Sequence, residues 1–333
     1  MGITLKPLNE QVIIITGASS GIGLATARAA AKKGAKLLLA ARNKEALSEI
    51  EQQLTAEGGI VKYVVADVGK QDEVQKIADA ALEHFGGFDT WVNNAGVSIY
   101  GRLEEVSDED HHRLFDTNFW GVVYGSLAAA KHLKYKSGAI INLGSVLSDV
   151  AIPIQGMYSA TKHAVKGFTN AFRVELEDEG AAVSVTLIKP AAINTPYTQH
   201  AKNYTGKAAT LPPPVYKPEE VANAILHAAE HPKRDIFVGG GGKAMSTTNR
   251  LVPEVMDWVS EKMMIKMQMK DRAPKHQEDG LHQHGEGGKV HGDYDGYVMK
   301  TSLFTRASMH PVITGAVVAV AGAAAYAILG GRR

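Results

Sequence analysis

Tyr158 and Lys162 stand four residues apart in Tyr158-Ser-Ala-Thr-Lys162, a spacing that puts a phenol and an ammonium on one face of a helix. A free phenol, with a pKa of about 10, is a sluggish acid-base group at neutral pH. Adjacent positive charge favours the phenolate and lowers that value, so the pair predicts a proton donor with a built-in cationic partner. A second group, Thr16-Gly-Ala-Ser-Ser-Gly-Ile-Gly23, follows an apolar run and precedes a helical pattern. There Gly17, Gly21 and Gly23, with the small Ser19 and Ser20 and then Ile22, allow a tight turn. They also let backbone N–H groups approach a pyrophosphate at a helix N-terminus. A third group is Asn93-Asn-Ala-Gly96. A phosphate cradle and a proton donor are the two halves of a hydride-transfer site.

Elements must hold these groups in place. Residues 12–15, 36–39, 63–66, 90–92, 139–141, 183–188 and 236–238 are short apolar runs without clean alternation, as strands buried on both faces should be. Helical patterns of roughly ten to twenty residues separate them. The expected fold is α/β: a Rossmann-like, doubly wound parallel sheet of about seven strands with helices on both faces.

The glycine spacing, the Asn-Asn-Ala-Gly turn and the Tyr-x-x-x-Lys pair, in this order, closely resemble the short-chain dehydrogenase/reductase family over about residues 9–240. The resemblance implies a catalytic set of Asn118, Ser145, Tyr158 and Lys162. Ser145 would hydrogen-bond the substrate oxygen, and Asn118 would hold a water beside the lysine. It further implies that Asp67, followed by Val68, accepts from the adenine amino group, and that Asn94, Ala95 and Gly96 let the adenosine ribose lie close. Pro190, Ile193 and Thr195 would contact the nicotinamide, in a loop where Ala191 replaces the usual glycine. Tyr158 and Lys162 also count among the cofactor contacts. NAD-preferring members carry an acidic residue where Ala41 stands. Its absence lets Arg42 meet a 2′-phosphate through a charge-assisted contact, so the expected cofactor is NADP(H).

The chain has 333 residues, a formal net charge of +1 and no cysteine. These values exclude disulfides, thiolate metal sites and a basic nucleic-acid-binding field, and they fit a cytoplasmic catalytic domain. The expected organisation is a catalytic domain over 1–242, an amphipathic helical extension over 243–271, a flexible His/Gly-rich linker over 272–310 and a final helix over 311–331. In the extension, a helix over 247–270 would carry Val255, Val259, Met263 and Met267 on one row. His276, His282, His284 and His291 in the linker are irregularly spaced, so no metal is expected. Residues 312–329 are apolar or small apart from Thr314 and Tyr326. They are long enough to span a bilayer or to serve as a dimerisation helix.

Within the resembled family, long helices near 107–133 and 155–179 commonly build a homodimer or homotetramer face. The apolar groups and the tail point to a lipophilic carbonyl or alcohol as substrate. A nucleotide-sensing scaffold without turnover is the alternative, and an epimerase or dehydratase on a related fold is a third reading.

Overall fold

The computed structural model describes residues 3–274, 279–310 and 314. Seven parallel strands form one sheet: β1 (Val12–Thr16), β2 (Lys36–Ala41), β3 (Ile60–Val65), β4 (Thr90–Asn93), β5 (Gly138–Leu143), β6 (Val183–Pro190) and β7 (Asp235–Val238). Their order across the sheet is β7-β6-β5-β4-β1-β2-β3. The register runs Ile13↔Leu37 between β1 and β2, and Ile14↔Trp91 between β1 and β4. The order reverses between β1 and β4, and a crevice opens there at the carboxyl ends of the strands.

The period of two in a strand explains why one apolar run serves both layers. Ile13 and Ile15 pack with α1 (Gly21–Lys32), α2 (Lys44–Ala56) and the later helix Pro218–Glu230 through Leu24, Leu47, Ile50 and Ile225. Ile14 faces the other way, toward α3 (Gln71–Phe85), and shares a cluster with Val74, Ile77 and Trp91. All three isoleucines are fully buried, each contributing roughly 1.5–3 kcal/mol. The second layer continues with α4 (Asp108–Phe115), α5 (Gly121–Leu133) and α6 (Gly156–Asp178). Between α4 and α5 the chain widens into a π turn at Asp116–Trp120, a distortion that often marks a functional position. The longer helices after α6, among the described residues, are α7 (Pro218–Glu230), α8 (Gly240–Leu251), α9 (Pro253–Val259) and α10 (Leu303–Met309).

Beyond β7 the structure departs from the periodicity. The expected helix over 247–270 is broken: α8 ends at Leu251, α9 starts at Pro253, and a π turn at Ser260–Met264 leads to a last helical turn at Ile265–Gln268. Pro253 has no N–H to continue α8. The buried row is Met256, Ser260, Met264 and Gln268, whereas Val255 and Met263 are exposed. Met256 and Met264 fill an apolar cluster with Val146 and Leu147 beside Tyr158, and Gln268 donates to the Pro153 carbonyl at 3.2 Å. Met269 and Lys270 are extended and pair with Ala208 and Ala209.

Residues 279–310, whose composition suggests a flexible linker, are packed onto the domain. Leu281 and Val290 are buried. Val298–Met299 adds a short parallel strand to Val215–Tyr216, and α10 covers β7, where Thr305 Oγ1 accepts from Gly239 N at 3.0 Å. The expected transmembrane helix is corrected: among the described residues no helix is long and apolar enough to cross a membrane. The run 312–329 itself lies outside the described residues, Thr314 excepted.

Candidate active site

The glycine loop leaves β1 through Gly17, whose φ of +64° falls in the left-handed region that glycine tolerates. A Cβ on Gly17 would lie 2.7 Å from Ala95 Cα, and one on Gly23 would lie 2.2 Å from the Gly17 carbonyl oxygen. These two positions therefore require glycine to bring the loop against the turn after β4. That turn is tied down in return. Asn94 Nδ2 donates to the Thr16 and Gly17 carbonyls at 2.9 and 3.2 Å, and Thr16 Oγ1 accepts from the N–H groups of Asn94 and Ala95. Asn93 turns inward instead, donating to Asn142 Oδ1 at 2.8 Å and to Ser126 Oγ at 3.1 Å. The first asparagine of the motif thus joins β4 to β5, while the second shapes the crevice.

One cleft of about 390 Å³ is lined by Gly17, Ser19, Ser20, Gly21, Ile22, Arg42, Asp67, Val68, Asn94, Ala95, Gly96, Ser145, Tyr158, Lys162, Pro190, Ile193 and Thr195. Of the residues expected from the sequence, only Gly23 and Asn118 do not line it. Gly23 acts from beneath, through its contact with Gly17. Asn118, fully buried in the π turn, spends its amide on Val97: Oδ1 accepts from Val97 N at 2.8 Å and Nδ2 donates to Val97 O at 2.9 Å. It also donates to Thr161 Oγ1, next to Lys162. Its side chain therefore ties the turn after β4 to α6.

Ser145 caps the 3₁₀ turn Val146–Ser148: its Oγ accepts from Leu147 N at 3.0 Å, and Ser148 Oγ accepts from Ser145 N at 3.1 Å. Because Ser145 Oγ accepts from the backbone, its own hydrogen is left for a partner in the cleft. Lys162 is buried, and its Nζ donates to the Leu143 carbonyl at 2.8 Å. The ammonium lies 5.7 Å from the centre of the Tyr158 ring. Burial lowers the Lys162 pKa to about 8. Burial pushes the Tyr158 phenol up to about 12, while hydrogen bonding with the Tyr197 and Ser145 hydroxyls pulls the other way. In the chain alone, desolvation outweighs those hydrogen bonds, and the phenol moves opposite to the direction that the Tyr-Lys spacing suggests.

Four residues beside the phenol were not visible in the motifs. The Tyr197 ring meets Tyr158 edge-on at 5.7 Å. Its hydroxyl donates to Ser98 Oγ at 2.7 Å and accepts from Gln155 Nε2 at 2.9 Å. Tyr100, fully buried, packs edge-on against Tyr197 at 6.4 Å. The signal available in the sequence was the position of Tyr197, directly after Thr195-Pro196. Away from the adenosine side the cleft is apolar, with Leu147, Ile152, Leu211, Met245 and Met264 among its walls.

On the adenosine side the geometry is more crowded than the sequence suggests. Burial would raise the Asp67 carboxyl, but Arg113, in contact at 2.6 Å, and Gly69 N hold it below the usual carboxylate range. Asp67 makes no cap for α3, whose first turn follows Lys70. The Arg42 guanidinium donates to the Gly280 and Leu281 carbonyls at 2.5 and 3.0 Å. Burial, and then the neighbouring Arg113, lower its pKa. Ala191 adopts no positive φ. Gly239 and Gly242 face its Cβ, so the loop accepts alanine where the family pattern has glycine.

A sequence profile described as short chain dehydrogenase matches residues 11–250. The protein belongs to the short-chain dehydrogenase/reductase family of oxidoreductases. A Bacillus subtilis protein named uncharacterized oxidoreductase YxnA is 48% identical over 329 residues, covering 97% of this chain and 92% of its own. The 11-beta-hydroxysteroid dehydrogenase A of Sesamum indicum is 34% identical, covering 77% of this chain and 76% of its own. Among solved structures, a Thermococcus sibiricus alcohol dehydrogenase complexed with 5-hydroxy-NADP superposes with a TM-score of 0.61 at 32% identity, covering 68% of this chain and 95% of that one. A Burkholderia phymatum family member in complex with NAD gives a TM-score of 0.64 at 27% identity, covering 80% and 99%.

Proposed function

We propose that the protein is an NADP(H)-dependent oxidoreductase that interconverts a lipophilic carbonyl compound and its alcohol, with Tyr158 as the general acid and base. The observation that carries this reading is the convergence of the glycine loop, Ser145, Tyr158 and Lys162 on one cleft. The Gly17–Ala95 and Gly23–Gly17 approaches, which any Cβ would block, fit a site that receives a dinucleotide along its backbone. Residues Ser19 to Ile22 would hold the pyrophosphate, Asp67 and Val68 the adenine, Asn94 to Gly96 the ribose, and Pro190, Ile193 and Thr195 the nicotinamide. When bound, the cofactor supplies or accepts the hydride.

The chain's own residues then manage the proton. Tyr158 gives its hydroxyl proton to the carbonyl oxygen in reduction and takes it back in oxidation. The Ser145 O–H, freed by the bond from Leu147 N, hydrogen-bonds the same oxygen. Lys162, fixed by the Leu143 carbonyl, places positive charge beside the phenol and stabilises its ionised form. Asn118 acts through Val97 and Thr161, holding the walls on either side of Lys162. Leu147, Ile152, Met245 and Met264 form an apolar end that favours a water-poor substrate, a reading supported by the steroid enzyme among the relatives.

The test is consumption of NADPH over a panel of carbonyl compounds. Tyr158→Phe should abolish turnover and leave cofactor binding nearly unchanged, because it removes a hydroxyl needed mainly in the transition state. Turnover equal to the parent defeats the assigned role, and a preference for small, charged carbonyls defeats the lipophilic reading. Arg42→Asp should weaken NADPH binding much more than NADH binding; equal losses defeat the NADP assignment.

A further inference from the structure

The sequence beyond residue 250 falls outside the family profile, and its glycines and polar residues look like a tether. In the structure, residues 279–292 instead run along the mouth of the cofactor cleft, and Gly280, His284, Gly285 and Glu286 line it. At one end Leu281 is fully buried among Val97, Ile99, Val106 and Leu114. At the other end Val290 enters the main core. Between these two apolar pegs the backbone is bonded to the cofactor-site elements. Arg42 donates to the Gly280 and Leu281 carbonyls, and Asn43, the N-cap of α2, donates to the Gly285 carbonyl at 3.1 Å. Gly288 N donates to Ser19 O at 2.8 Å, and Gly21 N donates to Lys289 O at 2.9 Å. The last two bonds fall on the glycine loop itself.

The glycines here permit apposition rather than slack. A Cβ on Gly287 would sit 2.2 Å from Ala46 Cβ, one on Gly285 would sit 2.6 Å from the His200 ring, and one on Gly292 would sit 2.3 Å from Thr195 O. Three close approaches in eight residues mark a segment shaped to lie flat on this surface. We propose that residues 279–292 are a strap that forms the outer wall of the dinucleotide site, closing over the cofactor and setting how fast it enters and leaves. The inference rests on the dinucleotide reading above. Its physical content is that exchange of the cofactor requires the Leu281 peg and the Gly287 contact to release, and each can be loosened without touching Tyr158 or Lys162.

The experiment follows NADPH fluorescence in stopped flow with the full chain, its Leu281→Ala variant and its Gly287→Val variant. Truncating a buried leucine, or forcing a Cβ into Ala46, should speed NADPH dissociation by about tenfold or more, and association should quicken as well, because an open wall admits as readily as it releases. Faster dissociation with unchanged association overturns the proposal, since a lost contact without a gate does that. Unchanged rates in folded variants overturn it too. Hydrogen exchange of the unaltered protein gives an independent reading should a variant fail to fold. Amides of 279–292 should be strongly protected by NADPH, and protection confined to the glycine loop and the turn after β4 overturns the strap. A parent chain that binds the dinucleotide but shows none of these effects refutes the strap alone, whereas one that binds no dinucleotide refutes the strap and the functional reading together.

Discussion

At the scale of single residues, Tyr158 and Lys162 face opposite demands. In the proposed mechanism the phenol must give up its proton in a place where burial raises its pKa to about 12, and the ammonium must stay charged where burial lowers its own to about 8. In carbonyl reduction Tyr158 must be protonated, and its raised pKa keeps it so through the neutral range. Lys162 sets the limit: its charge is lost as pH rises through about 8. Reduction should therefore hold steady at neutral pH and decline above about 8, and in Lys162→Met the rate should be low throughout and lack that limb. A pH profile of kcat/KM checks this. Stability carries a linked signature. Between about 8 and the ordinary lysine value of 10.5, the unfolded chain holds a proton on Lys162 that the folded chain does not, so this group's contribution to stability improves as pH climbs. The raised Tyr158 opposes it above 10.0. The comparison is parent against Lys162→Met in chemical denaturation across that range. Tyr197 belongs to the same scale. Its hydroxyl is fixed by Ser98 and Gln155, and its edge faces the Tyr158 ring. Tyr197→Phe should lower kcat several-fold, by about 1 kcal/mol of lost hydrogen bonding, with NADPH affinity unchanged. An unaltered kcat would remove Tyr197 from the site's positioning machinery.

Among the elements, the apolar end of the cleft depends on how α8 is docked. Asp149 receives Lys166 Nζ at 2.5 Å, Ser246 Oγ at 2.8 Å and Lys189 Nζ at 3.2 Å, and its backbone oxygen accepts from Asn249 Nδ2. Burial would raise this carboxyl, but Lys166, Ser246 and Lys189 hold it below 3.8. Its contribution to stability is therefore present above that value and is lost as pH falls through the lowered folded pKa. Asp149→Ala strands Lys189, whose side chain is only 6% exposed, and should destabilise the fold by about 3–5 kcal/mol. It also frees Ser246, the α8 residue next to the cleft-lining Met245, while the Asn249 bond to the backbone oxygen remains, so the KM for an apolar substrate should rise; denaturant melts and steady-state kinetics read the two effects separately. The same region shows where sequence reading succeeds and where it stops. The seven strands were legible because runs such as Val12-Ile-Ile-Ile15 are buried on both faces. Tyr158 and Lys162 were legible because a helical turn brings them together. The buried row of α9 and the turns after it lies one position from the expected one, an offset already present at Met256: Pro253 restarts the helix after Val252 breaks α8, and that restart does not show in a count of every fourth residue. Arg113 beside Asp67 and the strap over Arg42 join parts of the chain 46 and 238 residues apart. Composition cannot distinguish glycines in a free tether from glycines pressed against a neighbour.

For the whole molecule, the question is what covers the outer face of α5 and α6. Trp120 stacks on Tyr124 at 5.8 Å, and both Trp120 and Leu127 are 43% exposed. Positions 120, 124 and 127 follow a helical spacing of four and three, so they form one stripe. Val174 on α6 is 57% exposed. A stable interface buries about 1,600 Å² in total, with aromatic and aliphatic anchors at its centre, and this face offers such anchors on two long neighbouring helices. The chain is accordingly expected to form a homodimer or homotetramer through α5 and α6. Leu127→Glu combined with Val174→Glu should shift the mass measured by light scattering to that of a monomer, because two buried like charges per protomer would face their symmetry mates. NADPH should still bind the monomer, because the crevice between β1 and β4 is built from one chain. A parent protein that is monomeric at micromolar concentration, or a double variant whose mass is unchanged, would place the contact elsewhere on the surface.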